Sequence, residues 1–434
     1  MRKSHKLRTA PSAASSRVTR RTGLFTVAAL SLILAACGDR HLSTMDPESP
    51  IAEKLDTMLV WLLIASAVVF VLVQGAVLYM AKRFRVKAPE DESQVYPDEE
   101  FPEQVHGNTR LEIGWTILPT VIMAVVAFFT LGLLFQLDDV DADPDNRIES
   151  VTVVGQQWWW EFHYTLHGMD TPGPHIVTAG ELVLPQNEEV QLYTTSRDVI
   201  HSFWIPTLNG KRDAVPGRLN PWTIEASNIG RYPGECTEFC GLSHAYMEKF
   251  VVSVSEADWD TWAALQQQAV VAPAEGTPEH EGWLVFNNQC ASCHVINGLT
   301  SHSDPDTTDD VDVFDTFALY APDERGIPER YIDKQTQVAG AAPNLTHFQS
   351  RSTFAGGVFE LYKNPDAPYL TLADSGVVNR GALEAWIINA PEQKANAWDS
   401  PSGGRGMTPF ETLSAEDVDN LVEFLTNMEY AEAN

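Results

Sequence analysis

The sequence has no cysteine to spare for a structural disulfide. Its five cysteines fall as Cys37 in an N-terminal leader, Cys236 and Cys240 in one loop, and Cys290 and Cys293 in a Cys-x-x-Cys-His motif, so other chemistry claims them all. Positive charge is also scarce. Lys and Arg number 29 against 59 Asp and Glu, a formal net charge of −30, which excludes nucleic acid as a partner and favours encounters with basic proteins. Charge of either sign is missing from Met58 to Met80 and from Ile113 to Leu137. Each run exceeds the ~20 apolar residues that a bilayer core requires.

These two runs predict transmembrane helices at 58–80 and 113–137, with a buried helical hairpin as the competing reading. The flanks oppose that alternative: Lys82-Arg83-Phe84-Arg85-Val86-Lys87 follows the first run and marks a cytoplasmic end, while Asp138-Asp139 closes the second. Residues 1–36 read as a signal peptide, basic up to residue 22 and apolar from Leu24 to Ala36. The small residues before Cys37 resemble a lipoprotein cleavage box, which makes Cys37 a candidate lipidated first residue; a plain signal peptide is the alternative. The expected order is an external segment 37–57, a cytoplasmic loop 81–112 and everything after residue 138 outside. That describes a multi-pass protein of a bacterial inner membrane with its globular part on the periplasmic face.

Gly234 to Met247 gathers two thiols, an imidazole, a thioether and a carboxylate in one loop. Soft donors of this kind select copper over hard divalent cations, and two thiolates can bridge two coppers. A zinc clip or a redox thiol pair is the competing reading, although zinc has no use for Met247. A second imidazole, His201, lies upstream in a β-rich stretch.

The pattern Cys236-x-Glu238-x-Cys240-x-x-x-His244-x-x-Met247, with His201 before it and Lys211-Arg-Asp213-Ala-Val-Pro-Gly-Arg-Leu-Asn220 between, resembles the copper A domain of cytochrome c oxidase subunit II. The resemblance spans nearly the whole chain after residue 50. It implies that His201, Cys236, Cys240, His244 and Met247, with the carbonyl of Glu238, hold two copper ions. It also implies that the Glu238 carboxylate binds magnesium at the boundary with subunit I. Glu112, in Glu112-Ile-Gly-Trp115-Thr, matches a glutamate at the mouth of a proton pathway; without the resemblance it reads as a solvated helix-end residue. Trp158, in Gly155-Gln-Gln-Trp158-Trp159-Trp160, matches the residue that receives electrons from cytochrome c. Gln156 and Trp159 depart from the family's more common Gly-His-Gln-Trp-Tyr-Trp. From the residues alone this run is packing, with alternation expected to put Trp158 and Trp160 on one face and Trp159 on the other.

Short alternating runs from Val151 to Val254, punctuated by Pro, Gly, Asn and Asp, predict an all-β sandwich or Greek-key barrel over 138–262. The resemblance makes it a cupredoxin fold. A linker at 263–276 leads to a domain at 277–434, where Cys290-Ala-Ser-Cys293-His294 is a c-type haem attachment motif. Cys290 and Cys293 are the expected thioethers and His294 the expected axial ligand of a covalent haem c in an all-α class I cytochrome c domain. Met407, in a Gly/Pro loop, is the expected sixth ligand. Met428, at helical spacing from Val418, Leu421, Val422 and Leu425, fits packing better, and His347 is a rival. An acidic insertion at about 300–337 reads as a solvated loop or as a docking surface for a basic donor.

The whole pattern is that of the subunit through which electrons enter a respiratory cytochrome c oxidase, an oxidoreductase and translocase. The expected partners are subunits I and III, with a cytochrome bc complex or a soluble cytochrome c as donor. Oxygen is expected to be reduced to water in subunit I. The alternatives are a copper-domain subunit of a nitric oxide reductase and a non-enzymatic copper carrier or sensor. Nitrous oxide reductase has a similar loop but no use for the two spans.

Overall fold

The structure, a computed structural model, describes residues 42–85, 107–138, 146–168, 176–300, 342–363, 377–399 and 405–431. The expected signal peptide, Cys37, most of the 81–112 stretch and the acidic insertion after Thr300 lie outside them.

Helix α1 (Pro50–Arg83) starts where sequence chemistry allows it: Ser49 is the N-cap, its hydroxyl accepts the Ala52 N–H at 3.0 Å, and Pro50 needs no partner in the first turn. The same hydroxyl donates to the Leu208 carbonyl, and Glu48 is tied through its backbone to Thr207 and Ser227. Helix α2 (Thr109–Asp138) is capped by Asn108, whose side chain accepts the N–H groups of Arg110 and Leu111. Glu112 returns the favour by accepting the Asn108 N–H at 3.1 Å. Both helices are long and apolar enough to cross a membrane, and Phe70, Leu72, Leu118 and Phe128 are exposed on them. Such faces suit lipid rather than water.

Residues 148–254 build two facing β-layers. One sheet has the order β3 (Ile176–Ala179), β2 (Trp159–Leu166), β1 (Ile148–Gln156), β5 (Val190–Ser196) and β8 (Asn220–Ile224). The other has β4 (Glu181–Pro185), β10 (Glu248–Val254) and β9 (Gly230–Glu235). A ribbon of β6 (His201–Trp204) and β7 (Lys211–Ala214) completes it. Pairing is parallel between β1 and β5 and between β4 and β10, and antiparallel elsewhere, a cupredoxin-like sandwich. Between the layers Val151, Val153, Trp160, Phe162, Leu182, Leu184, Leu192, Phe203 and Val251 are fully buried. Trp160 and Phe203 meet edge to face at 5.2 Å, a geometry that aligns the positive rim of one ring with the negative face of the other.

The aromatic run departs from the expected alternation. Gln156 pairs with Trp159 across the β1–β2 ladder, so Gln157 and Trp158 form the hairpin turn, and the period-two pattern starts only at Trp159. Trp160 points into the core, whereas Trp158 and Trp159 both face a cavity described below.

Helix α3 (Glu256–Gln266) is capped by Ser255 and buries Trp259 and Trp262 against the sandwich, with Trp262 at 5.5 Å from Tyr164. Beyond the 263–276 stretch come α4 (Pro278–Gln289), the strand pair β11 (Thr353–Phe354) and β12 (Phe359–Glu360), α5 (Arg380–Ile388), the single turn α6 (Ala390–Gln393) and α7 (Ala415–Thr426). The C-terminal part is thus mainly helical with a small β ribbon. Thr277 caps α4, and Ser414 with Asp417 forms a capping box on α7. The two helices cross at Gly282, and Phe286 packs on Phe424 at 5.8 Å.

This part is seated firmly on the sandwich. The buried Glu181 carboxylate accepts the Ser352 N–H at 2.9 Å and the Thr353 hydroxyl at 3.1 Å. Arg231 forks onto Glu360 at 3.2 Å while lying 3.5 Å over the Phe250 ring, and the Glu248 N–H donates to the Gly356 carbonyl at 3.0 Å.

Candidate metal centre and adjoining cavity

The loop from Cys236 to Met247 joins β9 to β10 and is closed at its stem, where the Cys236 N–H donates to the Met247 carbonyl at 3.1 Å. A second tether runs from the Thr237 N–H to the Ser202 carbonyl on β6, at 3.1 Å. Gly241 has φ +113°, and a Cβ there would stand 3.0 Å from Gln157 Nε2 and 3.2 Å from Trp158 Cζ2, so glycine is required by conformation and by space. His244 begins one 3₁₀ turn that carries the chain to Met247.

The loop and β6 bring six donors together. Cys236 Sγ and Cys240 Sγ lie 3.8 Å apart; His201 Nδ1 is 3.9 Å from Cys236 Sγ, and the Glu238 carbonyl oxygen is 3.3 Å from it. On the other side His244 Nδ1 is 3.5 Å and Met247 Sδ 3.8 Å from Cys240 Sγ. His201, Cys236, Cys240 and Met247 are buried; His244 is half-buried. Two sulfurs thus share the centre, each flanked by one imidazole and one weaker donor. The donor set fits a pair of coppers and leaves no place for a substrate. Because the sulfurs also share a proton, hydrogen bonding from Cys240 holds the Cys236 thiol well below its ordinary range, against the cost of burial, and drives Cys240 up.

Asp198 orients the first imidazole. Its carboxylate receives His201 Nε2–H at 2.8 Å, which fixes the tautomer and turns the Nδ1 lone pair toward Cys236. Gly155 holds the ring from behind: a Cβ there would approach His201 Cδ2 to 2.8 Å. Gly155→Ala is therefore expected to tilt the ring and lower copper affinity by roughly 10-fold or more, the range for a partner that orients a ligand. Chelator competition measures it, and unchanged retention would refute the packing argument.

Beside the loop lies a cavity of about 390 Å³, lined among others by Cys290, Cys293, His294, Pro343, Met407 and the Trp158–Trp159 pair. His294 Nδ1 is 2.8 Å from the Pro343 carbonyl, which can only accept; the proton is thus on Nδ1 and Nε2 is left as a base for an iron. Burial lowers the His294 ring, favouring the neutral form that metal binding requires. These walls suit a haem, which Cys290, Cys293, His294 and Met407 would hold. Trp158 joins the two sites, since its ring lines the cavity while its Nε1–H donates to the Cys240 carbonyl at 3.0 Å. Gln157 Nε2 donates to the same carbonyl at 2.7 Å.

His347 does not line this cavity; it is buried and stacked on Tyr430 at 4.6 Å. Burial, reinforced by Arg351, pushes its ring from 6.5 down to about 4. Between those values the unfolded chain binds the additional proton, so stability falls as the pH drops through that window. The loss is on the order of 3 kcal/mol. His347→Leu is expected to flatten this slope in thermal unfolding between pH 7 and 4; identical slopes would contradict it. Met428 packs in the core near the end of α7. Glu238 presents an exposed carboxylate and belongs to no group of potential metal-holding side chains among the described residues. Asp213 is an exposed side chain on β7.

Sequence reasoning missed Asp198, Gln157, Ser243 and Lys394. Only Asp198 left a signal, standing three residues before His201 in a polar turn. Lys394 comes next to the centre from a segment far downstream, beyond α5 and α6.

The family profile for the cytochrome c oxidase subunit II periplasmic domain matches residues 169–254, and that for its transmembrane domain matches 40–133. The chain is 34% identical over 409 residues to cytochrome c oxidase subunit 2 of Alkalihalophilus pseudofirmus, covering 93% of this chain and 96% of that one. It is 33% identical over 280 residues to cytochrome c oxidase subunit 2 of a Bacillus species, covering 62% and 75%. Among solved structures, the periplasmic domain of subunit II of cytochrome oxidase of Bradyrhizobium japonicum is 26% identical, with a TM-score of 0.26, over 29% of this chain and 97% of that one.

Proposed function

The chain belongs to the cytochrome c oxidase subunit II family, and from that premise we propose that it relays electrons from an external donor, through a covalent haem c, to a copper A centre. From there they pass to subunit I, where oxygen is reduced to water. Membership makes it part of an oxidoreductase complex with copper A in a periplasmic, membrane-attached domain. The finer statements are ours: copper on His201, Cys236, Cys240, His244, Met247 and the Glu238 carbonyl, and haem on Cys290, Cys293, His294 and Met407 in a class I cytochrome c domain. So are magnesium on the Glu238 carboxylate at the subunit I boundary, subunit III as a further partner, and a cytochrome bc complex or soluble cytochrome c as donor. We place the chain in a bacterial inner membrane, crossing it twice after loss of residues 1–36.

The observation that carries this reading is Trp158, one face in the cavity and its N–H on the carbonyl of Cys240. Bound copper and haem supply one-electron chemistry. The protein contributes stiffness: sandwich, loop and cavity share walls, so donor positions change little with oxidation state. Trp158 accordingly serves the cavity on its own chain. It is covered by the C-terminal part and only 5% exposed, which closes it to a separate cytochrome c.

Counting metals and haem in the detergent-solubilised chain, with visible and electron paramagnetic resonance spectra, tests this. Two coppers sharing one unpaired electron beside a low-spin c-type haem are expected; a single labile copper, or no covalent haem, would sink it.

The observed contact of Glu112 is a helix cap. Glu112→Gln keeps an acceptor for the Asn108 N–H and removes the exchangeable acid. Oxidase turnover is expected to fall about 100-fold or more, the lower end of general acid–base contributions. Unaltered turnover would leave Glu112 as a cap alone.

A further inference from the structure

Three consecutive residues after α6 touch both sites. The Lys394 side chain is only 6% exposed, and its Nζ donates to the Trp158 and Ala355 carbonyls, each at 2.7 Å. The Ala395 carbonyl accepts the hydroxyl of Ser243, a fully buried residue next to His244. Asn396 Nδ2 donates to the Met407 carbonyl at 3.0 Å. Gly406, at φ +95°, makes room for it, since a Cβ there would stand 2.5 Å from Asn396 Cβ. Ala397 and Arg405 then exchange backbone hydrogen bonds at 2.9 and 3.1 Å.

Neither copper nor haem ligation, as proposed, uses Lys394, Ala395 or Asn396. A lysine buried this deeply is costly, and burial pushes it down to about 7. Such a group needs its donors aimed at acceptors, and both carbonyls found here belong to other segments. Each carbonyl lies at a junction: Trp158 in the hairpin turn over the copper loop, Ala355 beside β11.

We propose that Lys394, Ala395 and Asn396 form a positioning strap that holds the copper loop and the Met407 loop in fixed register, so that disturbing one end is felt at the other. The strap rests on the ligand reading above. Lys394 and Asn396 also line the cavity, but none of the three is a ligand in that reading; they act through Ser243 on the loop bearing His244, and through Asn396 on the loop bearing Met407. The arrangement is one of shared carbonyls rather than of apolar contact, which makes it directional: loss of one donor frees one loop at a defined atom.

The test uses the complete chain carrying Asn396→Ala, Lys394→Met or Lys394→Arg, with copper and haem counted first and amide hydrogen exchange then followed peptide by peptide. Asn396→Ala is expected to speed exchange at least 10-fold in 405–407 and also in 236–247, although it touches only the former. It should weaken the methionine–iron absorption band of the haem, and Lys394→Met should alter the copper hyperfine pattern. Lys394→Arg, which keeps a cation with several donors, should leave both near wild type. Faster exchange confined to 405–407, with the copper pattern unchanged in Lys394→Met, would overturn the strap. If wild type itself holds no covalent haem or no copper pair, the ligand reading fails and the strap with it. Should Lys394→Met not fold, the Asn396→Ala exchange pattern decides alone.

Discussion

Cys236→Ala is expected to empty the copper centre and to cut oxidation of cytochrome c by the assembled oxidase at least about 100-fold, the upper range found for losing an orienting partner alone. Haem attachment at Cys290 and Cys293 is expected to survive. Cys236 Sγ is the hub of one side: it stands 3.8 Å from Cys240 Sγ, 3.9 Å from His201 Nδ1 and 3.3 Å from the Glu238 carbonyl. Alanine leaves His201 held by Asp198 but facing no sulfur. It also leaves Cys240 as the single thiolate of the cluster, which can serve one copper and cannot bridge two. The backbone of the loop should persist, because its stem bond from residue 236 to the Met247 carbonyl is made by an N–H that alanine keeps. Copper analysis and electron paramagnetic resonance, set beside a haem assay of the same preparation, check it. Retention of a two-copper signal would mean the two sulfurs are not the bridge.

The second large effect belongs to Gly282. Gly282→Ala puts a Cβ 2.0 Å from the Asn420 carbonyl oxygen and 2.8 Å from Phe424 Cβ, at the crossing of α4 and α7. The obstacle is backbone, which no rotamer change relieves, so the helices must part. Overpacking of this kind costs about 1–3 kcal/mol and sometimes more. Parting also loosens Phe286 from Phe424 and shifts the cavity wall formed by Phe286, Gln289, Cys290 and Leu425. The expected result is a lower melting transition for the C-terminal part and fewer covalent haems per chain, with copper content of the sandwich near wild type. Calorimetry and a haem-to-copper ratio measure this, and an unchanged ratio with an unchanged transition would contradict the close crossing.

Much of the copper loop was legible in sequence because its donors are contiguous: Cys236, Glu238, Cys240, His244 and Met247 lie in one turn of chain, and soft donors so close together have few other uses. Short β-rich runs bounded by turn residues, such as those of β5 and β10, could be read as strands, although both are buried along nearly their whole length instead of alternating. β9, with Gly and Pro inside Gly230–Glu235, and β7, a polar run with exposed Lys211 and Asp213, could not; their state is set by neighbours rather than by propensity. The turn at Gln157–Trp158 was hidden because three tryptophans in a row look like strand whichever of them begins it. What lay furthest from view were contacts between distant segments, such as Lys394 on Trp158 or Glu181 on Ser352. No local pattern encodes them, since a buried lysine is a consequence of tertiary packing.

The anchoring of α1 has a mechanical consequence. Its 34 residues make a rod of about 51 Å at 1.5 Å per residue, some 20 Å longer than a typical hydrocarbon core. At its outer end there is no hinge: Glu48 and Ser49 are bonded into the sandwich at Thr207, Leu208 and Ser227. The rod therefore works as a lever. A tilt of its first turn is passed to the sandwich through Thr207, Leu208 and Ser227 instead of being absorbed by a free linker.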